Sequence, residues 1–490
     1  MQGILSLDQG TTSTRAIVFN KKGEILCSAQ KEHKQIYPHS GFVEHDAEEI
    51  FINTLYVLES ALKEAEKLSI EVLSLGITNQ RETIVCFRKS TGKPLYNALV
   101  WQDVRTSTFC QKLHKTHGIE IQNKTGLPVN PYFSASKLKW LLENVKEVQT
   151  ALDEDDLLCG TMECYLLYRL SNLQAHKSDI TNACRTQLYN IHKRTWDNDL
   201  LELYNIPAHI LPTVTSNSED FGMVDINTLP PLPIQGMIGD QQAALFGQAC
   251  FHEGNIKSTY GTGCFAMLNT GHKPKRSEQG LLTTIGYQLG DNVYYALEGS
   301  IFIAGAVIQW LRDRLQLIET ALETEALARS SEDKDDVYFV PAFTGLGAPY
   351  WESNAKASIT GMTLSTTKAD IVRAALEGVC FETNDLVKAL ETDSNTKLNT
   401  LKVDGGMVAN SFMLERMADI LNINIERPSM IETTALGAAY MAGLKFGFYK
   451  NLKDIETNWQ LDQNFTPSMD IHTQTKKKVG WQKAIQKHCI

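Results

Sequence analysis

Three times in this chain a short apolar run ends in a turn built from glycine with small hydroxyl or acidic residues. Residues 3–7 lead into Asp8-Gln9-Gly10-Thr11-Thr12-Ser13, a later run leads into Tyr260-Gly261-Thr262-Gly263, and residues 401–403 lead into Asp404-Gly405-Gly406. Glycine lets the backbone turn tightly, and successive N–H groups then converge on one anion. A carboxylate beside such a turn can hold a hydrated Mg²⁺ against a phosphate. None of the three is a P-loop, because Gly-x-x-x-x-Gly-Lys-Ser/Thr is missing. Each turn alone also reads as an ordinary hairpin or strand–helix connection. Their recurrence, with an Asp beside two of them, favours phosphate handling.

Strands and helices alternate around these turns, which indicates an α/β fold. Strands are expected at 3–7, 15–19, 24–31 and 70–77. Asp46, with Glu49 three residues on, caps a helix that carries Phe51, Leu55, Leu58 and Leu62 on one face. Further helices are expected at 136–144, 301–315, 368–390 and 409–421. Strand-then-Asp-then-Gly at both Asp8 and Asp404 suggests a duplicated architecture. A chain of 490 residues is too long for one core at ~150 residues per domain. The boundary is placed near 247–255, giving domains 1–248 and 249–490. No Pro/Ser-rich linker marks it, so the halves should pack closely.

Charge and cysteine usage exclude several classes. The formal net charge of -10 argues against a nucleic-acid partner, which needs clustered Lys and Arg. The one basic run, Lys476-Lys477-Lys478, reads as a solvated helix face. Ten scattered cysteines without a Cys-x-x-Cys pair give neither a zinc site nor a disulfide framework. They fit a reducing compartment. No leader pattern and no apolar run of ~18 residues is visible, so a cytoplasmic protein without membrane insertion is expected.

Two polar pairs are candidates for chemistry on an alcohol. Asp240, in Gly239-Asp240-Gln241-Gln242, follows a strand and can accept a hydroxyl proton, as phosphoryl transfer to an alcohol requires. The same pattern also serves as a helix cap. Arg81 and Glu82, in the loop after residue 77, can donate to and accept from polyol hydroxyls. They could equally form a surface ion pair. Trp101 and Phe265 are candidate apolar walls or plain core aromatics.

Together these blocks resemble the FGGY carbohydrate kinases, over essentially the whole chain. Tyr132-Phe-Ser-Ala-Ser-Lys137-Leu-Lys-Trp140-Leu-Leu-Glu-Asn144 is similar to the first family signature, and the stretch from Ala357 to Glu377 to the second. The blocks at Asp8–Arg15, Asn79–Thr83, Gly239–Gly247, Tyr260–Phe265 and Pro341–Trp351 resemble the members that act on glycerol. The resemblance implies two RNase-H-like domains of the actin/hexokinase ATPase type, with a substrate cleft between them. It implies ATP-dependent phosphorylation of glycerol to sn-glycerol 3-phosphate, with Mg²⁺ required and ATP as co-substrate.

Carried over residue by residue, the implied glycerol contacts are Arg81, Glu82, Trp101, Tyr132, Asp240, Gln241 and Phe265. The implied nucleotide contacts are Thr11, Thr12, Ser13 and Arg15, then Thr262, Gly305, Gln309, Gly406 and Asn410, on loops at Gly261 and Gly405. Asp240 matches the catalytic base, and Asp8 the carboxylate that holds Mg²⁺ through water. A homodimer or homotetramer is implied as well.

The sequence also departs from the family pattern. Many bacterial relatives bind fructose 1,6-bisphosphate on a basic loop before the catalytic Asp. Here residues 221–233 contain no Lys or Arg, and no His lies between Ile210 and Phe251 for regulatory phosphorylation. Val104 replaces a frequent second Arg, and Glu163-Cys164-Tyr165 replaces a frequent Asp-Thr-Trp. Two other functions stay open on the residues: a kinase for another small polyol or sugar, and a non-catalytic binding protein on the same fold.

Overall fold

A computed structural model describes residues 1–332, 336–352 and 354–488. Strands β1 (Gln2–Gln9), β2 (Ser13–Phe19) and β3 (Ile25–Glu32) form an antiparallel meander. Every residue of β1 after Gln2 is buried, as a central strand covered on both faces must be. Beyond β3 the chain forms α1 (Ala47–Lys67), whose first amides at Glu48 and Glu49 are capped by the Asp46 carboxylate. Strand β4 (Glu71–Asn79) then adds parallel to β1 on its other side. After α2 (Ser134–Asn144), β5 (Ser218–Val224) and β6 (Leu232–Gly239) complete the sheet in the order β5-β6-β4-β1-β2-β3. Helix α3 (Asp240–Gly247) follows β6 directly.

The second half repeats the plan. Strands β7 (Ile256–Tyr260), β8 (Cys264–Gly271), β9 (Leu282–Leu289) and β10 (Asn292–Ile301) pair antiparallel. After α4 (Gly305–Asp313) and α5 (Lys368–Ser394), β11 (Thr400–Asp404) adds parallel to β7. Helix α6 (Ser411–Leu421) leads to β12 (Asn424–Pro428), then α7 (Thr433–Phe446) and β13 (Leu461–Phe465). The order is β9-β10-β8-β7-β11-β12-β13. Each sheet therefore contains an antiparallel set that begins at its first strand, a meander in one and β7-β8-β10-β9 in the other, with two parallel strands beyond that first strand, the RNase-H-like arrangement expected. The duplication is real, but Asp8 and Asp404 are not counterparts. Asp8 lies at the end of β1, the first strand of its sheet, whereas Asp404 ends β11, the strand added parallel to the first strand of its sheet, as β4 is in the other. The counterpart of the Asp8 turn is the turn after Tyr260, and that of Asp404 is Asn79.

Helices α3 and α7 occupy equivalent places and cross each other. A Cβ on Gly247 would sit 2.0 Å from the Thr433 carbonyl oxygen, and one on Gly437 1.9 Å from that of Ala243. Helix α7 also lies on the first sheet, where a Cβ on Gly76 would come within 2.1 Å of the Ala438 oxygen. Ile4, Phe19, Ile238 and Phe246 of the first half thus share an apolar cluster with Ala438, Tyr440, Met441 and Tyr449 of the second. This interpenetration is the close packing that the missing linker implied.

Three helix boundaries differ from the sequence reading. Ile301 still pairs with Cys264 in β10, so α4 starts only at Gly305, whose amide donates to the Gly261 oxygen at 2.9 Å. Residues Gly406–Ala409 form a 3₁₀ turn, and α6 begins after Asn410, which caps it through the Met413 amide at 2.9 Å. Helix α5 runs one turn beyond residue 390. The nine cysteines among the described residues are free and buried, while Cys489 lies outside them. Among the described residues no helix is long and apolar enough to cross a membrane.

Candidate active site

The end of β4 delivers Arg81 and Glu82 into the space between the two sheets. Glu82 sits in the left-handed region (φ 62°), which turns the chain back sharply there. The Arg81 guanidinium grips Glu298 of β10 with both ends, Nη1 at 2.6 Å and Nη2 at 2.9 Å, and its Nε meets Asp240 Oδ1 at 3.0 Å. Arg185 donates from Nε to Glu82 at 2.6 Å and from Nη2 to Glu298 at 3.1 Å. Two arginines and three carboxylates therefore interlock across the halves.

The side chains of Arg81, Glu82, Arg185 and Glu298 are at most 2% exposed, whereas that of Asp240 is 29% exposed. Asp240 is the member that solvent reaches. Its Oδ1 accepts from Arg81 and from the Gln241 amide at 2.6 Å, which leaves Oδ2 for an incoming molecule. Burial pushes its carboxyl up to about 6, with Glu82 adding and Arg81 opposing. Burial also pushes on Glu298, but the two arginines outweigh it and leave that carboxyl at about 2.

Aromatic rings wall the same space. Trp101 meets Tyr132 edge-on at 5.6 Å and Phe265 at 6.4 Å, and its indole N–H donates to Thr11 at 3.0 Å. The loops carrying Trp101 and Tyr132 are fastened by Lys137 of α2, whose ammonium donates to the carbonyls of Pro131 at 2.5 Å, Tyr132 at 3.1 Å and Trp101 at 3.4 Å. Burial lowers that lysine to about 8. Arg81, Glu82, Trp101, Tyr132, Asp240, Gln241 and Phe265 are thus gathered in one cluster that draws on both halves.

The three glycine turns form a second part of the site. The Gly10 amide closes the first turn on the Ser13 oxygen at 2.9 Å, with Thr12 exposed and Thr11 and Ser13 half-buried. Gly305 and the Gly261 turn pack backbone to backbone, since a Cβ on Gly305 would lie 2.6 Å from the Gly261 oxygen. Gly405 (φ 92°) packs on Tyr260 in the same way, its Cβ position 2.5 Å from the Tyr260 oxygen. Only glycine satisfies that backbone and that space together. Thr262, Gly406 and Gln309 are exposed on this surface. Asn410 stands at its edge with its amide spent on capping α6 and on Thr324 at 3.0 Å.

The first turn of α7 links the turns. Arg15 pairs with Asp8 at 2.5 Å and with Glu432 at 2.6 Å, so both ends of its guanidinium are engaged. Thr433 donates to Asp404 at 2.9 Å. Among the described residues no group of three or more His, Cys, Asp and Glu could hold a metal ion. Arg15 engages Asp8 through Oδ2, which leaves Oδ1 without a protein donor. That donor set fits a hydrated Mg²⁺ held through water and substrate phosphates rather than in a protein cage.

Beneath the strand ends lies a buried polar network around the unusual Glu163. It accepts from Asn79 at 2.8 Å, Thr161 at 2.6 Å and Ser178 at 2.5 Å. Neighbouring Asp179 accepts from Asn182 at 2.6 Å and Asn217 at 2.8 Å. The Thr181 hydroxyl, itself bonded to Asp179, accepts from the Gly239 amide at 2.9 Å. The network thereby pins the ends of β4 and β6, which carry Arg81 and Asp240. Burial, reinforced by Asp179, pushes Glu163 up to about 8.

Arg185, Glu298 and Glu432 escaped the sequence reading. Glu298 alone left a trace: a lone carboxylate in the apolar run Tyr295-Ala296-Leu297, where an unpaired charge is costly.

Comparison with known proteins places this geometry. Residues 3–247 match the N-terminal domain, and residues 256–446 the C-terminal domain, of the FGGY family of carbohydrate kinases. Glycerol kinase of Marinomonas sp. (strain MWYL1) is 51% identical over 487 residues, covering 99% of this chain and 98% of that one. Glycerol kinase of Bacillus thuringiensis (strain Al Hakam) is 49% identical over 486 residues, with the same coverage. The crystal structure of Plasmodium falciparum glycerol kinase with ADP superposes with a TM-score of 0.94 at 38% identity, covering 100% of this chain and 99% of that one. Gluconate kinase from Lactobacillus acidophilus, at 22% identity and a TM-score of 0.86, shares the fold. With both domains matched in order, the chain belongs to the FGGY family of carbohydrate kinases.

Proposed function

We propose that the chain is an ATP-dependent glycerol kinase whose product is sn-glycerol 3-phosphate. The observation that carries this is Asp240, the exposed carboxylate of an otherwise buried charge cluster, with one oxygen anchored and the other open beside Arg81, Gln241 and three aromatic rings. Full-length relatives named glycerol kinase support it.

In this reading the polyol is held chiefly by the part of the chain within 1–248, and the nucleotide by the part within 249–490. Arg81 and Glu82 hold hydroxyls from a fixed frame, because Glu298 and Arg185 prevent either from relaxing. Trp101, Tyr132 and Phe265 cover the carbon backbone. Asp240 accepts the proton of a terminal hydroxyl as its oxygen bonds to the γ-phosphorus and the bond from that phosphorus to the leaving ADP oxygen breaks. Backbone amides at Thr11–Thr12 and Thr262–Gly263 face the phosphates, those of Gly10 and Gly261 being spent on closing their own turns. Mg²⁺, when bound near Asp8, neutralises phosphate charge. A cytoplasmic homodimer or homotetramer belongs to the same proposal, and sizing chromatography tests the assembly.

The deciding experiment is coupled ADP release from MgATP with and without glycerol. Glycerol-dependent turnover of ~1–100 s⁻¹ is expected. Turnover with a different polyol only would reassign the substrate, and silence with every polyol would remove the enzyme.

A further inference from the structure

Between Asp240 and Asp404 lies a buried lysine that no step above uses. Lys257, in β7, is fully covered. Its ammonium donates to Gln241 Oε1 at 2.7 Å, to Thr259 Oγ1 at 3.0 Å and to the Phe265 carbonyl at 3.4 Å. All three acceptors are neutral. Removing an ammonium from water without a direct carboxylate partner is costly, so a lysine kept there calls for a reason.

The acceptors supply one. Gln241 stands in the first turn of α3 and Phe265 in β8, so the ammonium joins a pocket residue of one half to a pocket residue of the other. An ammonium has donors only. The end of the Gln241 amide that faces it must therefore be the oxygen, and the NH₂ end is left for an occupant of the pocket.

We propose that Lys257 is a positioning residue for the polyol: it fixes Gln241 so that Nε2 donates to a substrate hydroxyl oxygen, and it ties that amide to the Phe265 wall. The inference rests on the glycerol kinase reading. It assigns Gln241 a donor role only, so a polyol is recognised at that point through its oxygen lone pairs.

Charge gives an independent readout. Lys257 is faced by Asp404, Glu298, Asp240 and Arg81, and Asp240 by Arg81, Glu82, the Gln241 amide and Lys257. Lys257 favours the ionised form of Asp240. Its removal shifts the acid limb of the kcat/KM profile to higher pH, which a purely structural role would not do.

The test is a double-mutant cycle on the full chain with Lys257→Met and Gln241→Ala, reading KM and kcat for glycerol and the pH profile. Lys257→Met is expected to raise KM about tenfold, the size of one hydrogen bond, by a larger factor than any fall in kcat. In the Gln241→Ala background it should raise KM no further. An unchanged KM, or the same rise in both backgrounds, overturns the proposal. Turnover of glycerol by the wild type with those results condemns this inference alone, whereas a wild type inert toward glycerol condemns the kinase reading with it. If Lys257→Met does not fold, Gln241→Glu takes its place. That carboxylate still accepts from Lys257 but offers the substrate no donor, so KM must rise; an unchanged KM overturns the proposal equally.

Discussion

Asp240 combines two properties that pull against each other: it is anchored on a guanidinium, yet its carboxyl is pushed up to about 6. A base must be ionised to accept a proton, so kcat/KM should fall as pH drops through about 6, and a pH–rate profile checks this. Asp240→Asn should lower kcat by about 10³-fold with MgATP binding, measured by calorimetry, little changed. Glu163 bears on stability instead. Its folded pKa is raised to about 8, so between the ordinary glutamate value and 8 the folded protein holds a proton that the unfolded chain releases. Stability then falls as pH rises across that window. Glu163→Gln should flatten the slope, read from denaturation midpoints at several pH values. The legible part of the site was what lies together in sequence: Arg81 beside Glu82, and Asp240 beside Gln241 at a strand end. Glu298 lies 217 residues from Arg81, and Arg185 103 from Glu82. Only the topology makes them neighbours, so no local pattern could announce them.

Among the elements, the crossing of α3 with α7 is the most constrained. A methyl on Gly437 or Gly247 would land within 2.0 Å of a backbone oxygen on the other helix. Backbone cannot step aside as a side-chain tip can. Gly437→Ala is therefore expected to cost about 2–3 kcal/mol, measured by urea unfolding, far above the loss usual for a surface change. The strands and long helices were readable because their apolar periodicity is local. The start of α4 was not, because Ile301 is held in β10 by pairing with Cys264, a partner that periodicity does not reveal. The duplication was visible through Asp8 and Asp404, but strand order alone shows which turns correspond.

At the scale of the whole molecule, Glu298 joins the halves by holding Arg81 and Arg185 together. Glu298→Ala would strand two buried guanidinium groups. It should cost about 3–5 kcal/mol in denaturant unfolding, with glycerol-dependent turnover lost in step. The β5–β6 hairpin makes a different prediction. Residues 221–233 bring no Lys or Arg, and the lysines beside it are engaged, Lys177 with the Asp220 carbonyl and Lys445 with Glu219. Steady-state rates should therefore be unchanged by saturating fructose 1,6-bisphosphate. The crossing helices carry a mechanical consequence as well. Backbone seated in the glycine notches at Gly247 and Gly437, with Gly76 receiving α7 on the first sheet, blocks sliding along either axis. Halves locked in this way would open and close only as units, and the width of the space between them would then be a single coordinate felt by both substrates. Whichever arrives first sets the gap that the second one finds.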